Sequence, residues 1–212
     1  MSETPIKRPG GRSARVRAAV LDATLAELTG RGYDGLTVEA VAVRSGVHKA
    51  TLYRRWGGVD GLVADVLSRS AGQPWQVPDT GSLRDDLRAI THEVYAGFTD
   101  PGHGVTPRNV ILAALRSPQG RQALTAFFEA RHGQAAAVVT RSVARGETPD
   151  GTDGADVVRT ACAPLYYRLF VTGEPLDEPA AHRAAEAALA AARAGVFVPR
   201  RPGREDGSGD AR

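Results

Sequence analysis

The sequence predicts an all-α protein, and three observations carry that prediction. Apolar residues recur with helical period along most of the 212 residues, no stretch alternates apolar with polar residues as a half-buried strand would, and the punctuation between periodic stretches is that of helix ends. Composition agrees, because 42% hydrophobic residues can supply a core in a chain long enough for one large domain or two small ones. No window approaches the roughly 18 apolar residues that would span a bilayer. Met1 to Gly11 holds no apolar run of the signal-peptide kind, so no membrane contact and a cytoplasmic location are expected. The single cysteine, Cys162, cannot close an internal disulfide, and no Cys/His spacing suits zinc, so small stapled scaffolds are excluded.

Each helix has its own signals. The first starts near Ser13, an N-cap residue type, shows Val16, Val20, Leu21, Leu25 and Leu28, and ends at Gly30 and Gly32. A short helix follows Thr37, with Val38, Val41 and Ala42 inward, and stops at the Ser45-Gly46-Val47 turn. The next runs from about His48 to Trp56, and Gly57-Gly58 separates it from a fourth over about Asp60 to Ser70. Residues 71–79, with two prolines and a glycine, read as a connector. Ser82 and Asp85 then resemble a capping box ahead of the stripe Leu83, Leu87, Ile90, Val94 and Phe98. Thr106-Pro107 and Ser117-Pro118 each place a cap before a proline, which predicts helices over about 107–116 and 118–145. From Ala155 to Thr172 apolar residues surround the helix almost completely, so burial on more than one side is expected, and Pro164 is expected to kink it. The last helix, about Ala180 to Ala194, is dominated by alanine and suits close packing.

The net charge of +3 is unevenly spread: residues 1–70 carry a balance of +4 and the rest −1. Lys7, Arg8, Arg12, Arg15 and Arg17 at the front face only Glu3. Such a patch suits a polyanion, whose counterions are released when Lys and Arg neutralise phosphates, although a solvated leader has the same composition.

The informative segment is Gly32 to Trp56. Ala42 and Gly46 lie four apart, with Val41, Val47 and Leu52 apolar. In a helix-turn-helix the small residue lets two helices cross closely, the glycine makes the tight turn, and the apolar positions fix the crossing. The helix after the turn presents Lys49, Ala50, Thr51, Tyr53, Arg54 and Arg55, cations and hydroxyls suited to phosphates and base edges. An ordinary helical hairpin would share the Ala/Gly spacing alone.

The longer pattern Gly32-Tyr33, Thr37-Val38, Val41-Ala42, Gly46-Val47, Thr51-Leu52-Tyr53 and Arg54-Arg55-Trp56 closely resembles the DNA-binding domain of the TetR family of transcriptional regulators. The resemblance covers about fifty residues and implies a three-helix head, a linking fourth helix, and a helical body that binds a small molecule and dimerises. Two positions depart from it: His48 stands where the family commonly has a Ser cap, and Val59 where it commonly has Lys. Pro164 to Pro175 looks like a segment of one subgroup of these regulators.

The resemblance implies an arm over 1–12, a helix-turn-helix domain over 13–58, and a linking helix with connector over 59–78. An effector-binding and dimerisation domain over 79–198 completes it, and residues 199–212, which hold nothing bulky and apolar, are expected to form a disordered tail. The expected DNA contacts are Arg12, Arg15, Thr37, Arg44, His48, Lys49, Ala50, Thr51, Tyr53, Arg54 and Arg55. Apolar and aromatic residues of the body with a few polar partners are the candidates for an effector pocket: Trp75, His92, Tyr95, Phe98, Leu112, Arg116, Phe127, Phe128, His132, Cys162 and Tyr166. Leu165, Leu169, Ala184, Ala188 and Ala191 are the candidates for a contact with a second copy.

The scattered histidines lack a second ligand at helical spacing, so no metal and no cofactor is expected. No nucleophile elbow and no lysine-bearing glycine loop occurs, which leaves an enzyme without its residues. The expected function is a sequence-specific DNA-binding regulator, a homodimeric repressor released from a palindromic operator by a small organic effector. A helical protein-interaction module using the basic head on acidic partners is the alternative.

Overall fold

The structure, a computed structural model, describes residues 11–102 and 104–199. Lys7, Arg8, His103 and the expected tail beyond Pro199 lie outside the described residues. Every regular element among the described residues is helical: α1 (Arg12–Arg31), α2 (Val38–Ser45), α3 (Lys49–Trp56), α4 (Val59–Ala71), α5 (Leu83–Thr99), α6 (Val105–Ala114), α7 (Pro118–Ala135), α8 (Ala137–Ala144), α9 (Gly154–Tyr167) with a π-helical turn over Arg168–Thr172, and α10 (Glu178–Arg193). None of these helices is long and apolar enough to cross a membrane.

The chain divides into two compact units, Met1–Gln76 with His92–Gln134, and Val77–Thr91 with Ala135–Arg212. This cuts across the boundary expected at residue 79. The reason is α6, whose Val110, Ile111, Ala113 and Ala114 are buried, with the helix packed on α1 and α4. The expected effector domain therefore gives α6, most of α7 and the second half of α5 to the unit that holds the head.

In the first unit, Val20, Leu21 and Leu28 of α1, Val41 of α2, Leu52 of α3, and Leu62, Val63 and Val66 of α4 are almost wholly buried and form the head's core. Burying side chains of this size stabilises the folded state by about 1.5–3 kcal/mol each. Thr37 caps α2 as its residue type predicts, accepting a hydrogen bond from the Ala40 N–H at 3.1 Å. Gly46 ends that helix at φ 68°, a left-handed conformation that glycine adopts without steric cost.

Two expected starts differ. Ser13 is not a cap: α1 begins at Arg12, so that residue is helical, and the Gly11 carbonyl accepts the first bond while the Ser13 hydroxyl serves Arg55. Helix α6 begins two residues before Pro107, which is tolerated because first-turn N–H groups have no helical acceptor, and Thr106 shares a hydrogen bond with Thr29 instead of capping. Ser117 does cap α7, accepting from Gly120 N–H at 3.0 Å.

In the second unit the expected 118–145 helix is broken at Ala136, where α9 begins close by; a Cβ on Gly154 would stand 2.9 Å from the Ala136 carbonyl oxygen. Ser82 and Asp85 interact as their spacing suggests, the Asp85 N–H donating to the Ser82 hydroxyl and that hydroxyl to the Asp85 carboxylate. Asp153 and Asp177 cap α9 and α10.

The burial on more than one side expected for 155–172, in a core or between core and partner, is supplied by this chain on one side only. One face of α9 (Val157, Val158, Ala161, Cys162 and Leu165) is buried, while Tyr167 and Val171 are 56% and 69% exposed. Pro164 sits on an exposed part of α9, where its missing N–H costs least, and the helix widens to π geometry one turn later. Alanines make α10 two-faced. Ala181, Ala184, Ala185, Ala188 and Ala192 are buried in its packing on α9, while Ala187, Ala190 and Ala194 stay exposed. Leu165, Ala184 and Ala188 are thus used inside one subunit, since small side chains let α9 and α10 approach closely, and they have no surface left for a second copy.

Candidate nucleic-acid interface

The eight-residue helix α3 buries only Leu52 and Trp56, so its remaining residues form an outward face. Lys49, Ala50, Tyr53, Arg54 and Arg55 are exposed and Thr51 is half-buried. Lys49, Ala50, Tyr53 and Arg54 recur at helical spacing on one side, so a cation, a small residue, an aromatic hydroxyl and a second cation share a surface. Thr51, Arg54 and Arg55 also line an open groove with Arg12, Ser13 and Val16 from the start of α1. Three arginines and two hydroxyls around a groove open to solvent are a set of donors for phosphate oxygens.

The cations are not equally available. Among the described residues Arg12, Arg15 and Arg54 form no ion pair. Lys49 lies 3.6 Å from the Glu39 carboxylate, both ends being well exposed, so the pair is weakly held. Arg44 is tied more firmly, its Nε donating at 2.6 Å to Glu27, a carboxylate only 4% exposed that also faces Arg31. Arg55 donates to the carbonyl and hydroxyl of Ser13 and lies 4.9 Å over the Trp56 ring. His48 stands at the N-cap of α3 without a side-chain cap bond; its carbonyl accepts from Thr51 and Leu52. Arg17, a basic residue of the leader by sequence, is turned inward and clasps Asp65 of α4 at 2.6 Å.

Sequence reasoning missed the residues that hold this surface in place. Asp65 accepts from both Arg17 and the Trp56 indole N–H, the latter at 2.8 Å. Burial pushes the Asp65 carboxyl up, but the bonds from Arg17 and Trp56 and the positive charges of Arg17 and Arg55 outweigh it and hold the group below its ordinary value. Gly61 lets α4 approach the end of α3, for a Cβ there would stand 1.9 Å from the Trp56 carbonyl oxygen. Asn109, the lone asparagine, donates at 2.7 Å from α6 to the Leu28 carbonyl near the end of α1. Only Glu27 left a signal in the sequence: an acid on the apolar stripe with Val20, Thr24 and Leu28 demands a cation.

The expected effector residues fall in both units. In the first, Phe128 stacks with His132 at 5.7 Å and meets Phe127 edge-on, and His92 lies beside Tyr95. Half-buried Phe98 belongs to the same unit. The Trp75 indole donates to exposed Glu93 at 2.8 Å. Leu112 is 43% exposed, and Arg116 lies over the Tyr33 ring beside Asp34, so both sit on the surface rather than in a cavity. In the second unit Cys162 is buried and Tyr166 stacks on Phe170. Among the described residues no group of His, Cys, Asp and Glu could hold a metal ion.

Residues 20–66 match the family model for bacterial regulatory proteins of the tetR family, and residues 77–188 match that for a tetracyclin repressor-like C-terminal domain. The chain is 32% identical to the HTH-type transcriptional regulator AqdR of Rhodococcus erythropolis, across 79% of this chain and 80% of that one. Its fold is similar to that of the TetR family regulator SCO0332, with 28% identity, 83% and 97% of the two chains covered and a TM-score of 0.61. SmeT in complex with triclosan has a similar fold as well, at 21% identity, 90% and 99% coverage and a TM-score of 0.54. The helix-turn-helix head and both matched regions place this chain in the TetR family of transcriptional regulators.

Proposed function

We propose that the chain is a dimeric repressor that binds a palindromic operator through α3 and is released by a small organic effector. The observation that carries the reading is the outer face of α3, where Lys49, Ala50, Tyr53 and Arg54 are exposed together beside the groove lined by Arg12, Ser13, Thr51, Arg54 and Arg55. Lys49 and Arg54 reach base edges in the major groove, and Ala50 allows close approach. Arg12, Arg15, Thr37, Thr51 and Tyr53 hold phosphates. Arg44, neutralised by Glu27, and Arg55, engaged with Ser13 and Trp56, support the surface more than they read it.

A second copy is the partner for the outer faces of α9 and α10. Tyr167 and Val171 are large apolar groups exposed on one subunit, and Ala187, Ala190 and Ala194 form an exposed stripe of small side chains at helical spacing. Leu169 and Ala191, half-buried, border these faces and remain candidates for the contact. Two-fold symmetry would set the two α3 helices one duplex turn or a multiple of it apart, about 34–36 Å. The aromatic groups of the first unit, His92, Tyr95, Phe98, Phe127, Phe128 and His132, supply the apolar surface a small organic molecule requires. A similar fold holds triclosan in SmeT.

The test is selection from a random pool of duplexes by the full-length chain, followed by footprinting. A palindrome protected over two half-sites, with release by some member of a panel of small apolar compounds, is expected. Binding that shows no sequence preference would overturn the reading.

A further inference from the structure

We infer that Asp65 is a positioning residue for DNA recognition: through its bond to the Trp56 indole it fixes the pose of the recognition helix on α4. The inference rests on the reading that α3 contacts duplex DNA specifically. The backbone between the two helices is two glycines, both at positive φ (74° and 159°), and glycine has the widest conformational freedom of any residue. The direction of α3 is therefore left to its packing, on Gly61 through the Trp56 backbone and on Asp65 through the indole. Only Leu52 and Trp56 of α3 are buried, and Trp56 is its last residue.

A buried indole N–H requires an acceptor, and the Asp65 carboxylate provides one at 2.8 Å. Asp65 is itself fixed from the other side by the Arg17 guanidinium, which donates at 2.6 Å to one carboxylate oxygen and at 2.9 Å to the other. Arg55 over the indole face then connects the same ring to Ser13, beside Arg12. One carboxylate on α4 thus links the end of α3 to the start of α1, the two segments that border the groove.

Position matters here because of leverage. Lys49 lies seven residues before Trp56, about 10 Å along the helix axis at 1.5 Å per residue. A tilt of about 10° pivoting at Trp56 moves the Lys49 end by nearly 2 Å, beyond the range over which a base-edge hydrogen bond survives. Phosphate contacts from flexible arginines tolerate that displacement.

Trp56→Phe keeps a buried aromatic ring within reach of Arg55 but removes the pyrrole part of the indole along with the N–H, so it is read beside Asp65→Ala, which removes the acceptor and leaves the whole indole in place. Dissociation constants would be measured with the full-length chain on the duplex that the wild type selects from a random pool and on a scrambled duplex of equal composition. The variants are Trp56→Phe, Asp65→Ala and the pair, each checked for cooperative thermal unfolding well above the assay temperature. The ratio of scrambled to selected dissociation constants should fall about tenfold for Trp56→Phe, the loss expected for a charge-assisted hydrogen bond. Its affinity for the scrambled duplex should hold within twofold. The pair should lose little more than Asp65→Ala alone, because both changes remove the same bond. A Trp56→Phe ratio within twofold of wild type, equal losses on both duplexes, or fully multiplicative losses in the pair would each overturn the inference. A wild-type chain that selects no duplex would instead overturn the function proposed above.

Discussion

Gly61→Ala separates helix propensity from tertiary fit by the sign of its effect. Gly61 lies inside α4, where alanine is intrinsically better by about 1 kcal/mol, so propensity alone predicts a stabilised protein. The tertiary structure predicts the reverse. A Cβ at this position stands 1.9 Å from the Trp56 carbonyl oxygen and 2.8 Å from its carbonyl carbon. Reaching an ordinary contact of about 3.2 Å requires the two backbones to separate by more than 1 Å, and neither partner is a side chain that can rotate away.

Overpacking of this kind costs about 1–3 kcal/mol. The upper half of that range applies, because the shift also pulls Trp56 from Asp65, and the net loss after the propensity gain is about 1–2 kcal/mol. That lowers the thermal midpoint by about 2–8 °C for a chain of this size. The displaced end of α3 should also weaken operator binding more than binding to random duplex. Thermal unfolding followed by circular dichroism and a duplex titration measure both effects. Gly97→Ala in α5, where an added Cβ meets nothing within 4 Å, is the control and should raise the midpoint slightly. A Gly61→Ala protein with an unchanged or raised midpoint and full operator affinity would show that α4 does not press on Trp56.

Lys49→Ala should cost about 1–3 kcal/mol on the selected duplex and relax preference at one base position, whereas Arg12→Ala should weaken all sequences alike and lower the salt slope by about one, as titrations at several salt concentrations would show. Burial raises the Glu147 carboxyl, but its bonds from Arg145 and the Leu83 N–H and the charges of Arg145 and Arg193 hold it below its ordinary value. A depressed carboxylate contributes stability that is complete above its unfolded value, about 4.3, and is lost as pH falls through the lower folded value. Asp65 behaves likewise. Unfolding between pH 6 and 3 should therefore show an acid loss that shrinks in Glu147→Gln and in Asp65→Asn. Val171→Asp, at an exposed site, should yield folded monomers in light scattering, while Ala188→Asp, at 0% exposure, should unfold the second unit; folded dimers from Val171→Asp would place the contact elsewhere.

The sequence by itself determined the helical class, most helix bounds and the exposed face of α3. These depend on short-range chemistry: the period of Leu83, Leu87 and Ile90, the caps Thr37 and Ser117, and the Ala42–Gly46 spacing are set by neighbours a turn away. Family membership was legible for the same reason, since a compact motif keeps its pattern within a few helices. Only the tertiary structure decided which cations stay available. Arg17, Arg44 and Arg55 look like Arg12 and Arg54 in the sequence, but Asp65, Glu27 and Ser13 reach them from 48, 17 and 42 residues away. It alone assigned α6 to the head, through Asn109 and a buried face that no periodicity could match to α1 and α4. It alone showed which alanines of α10 are spent inside the subunit. The inner and outer stripes of that helix share one residue type, and only the position of α9 makes one of them core.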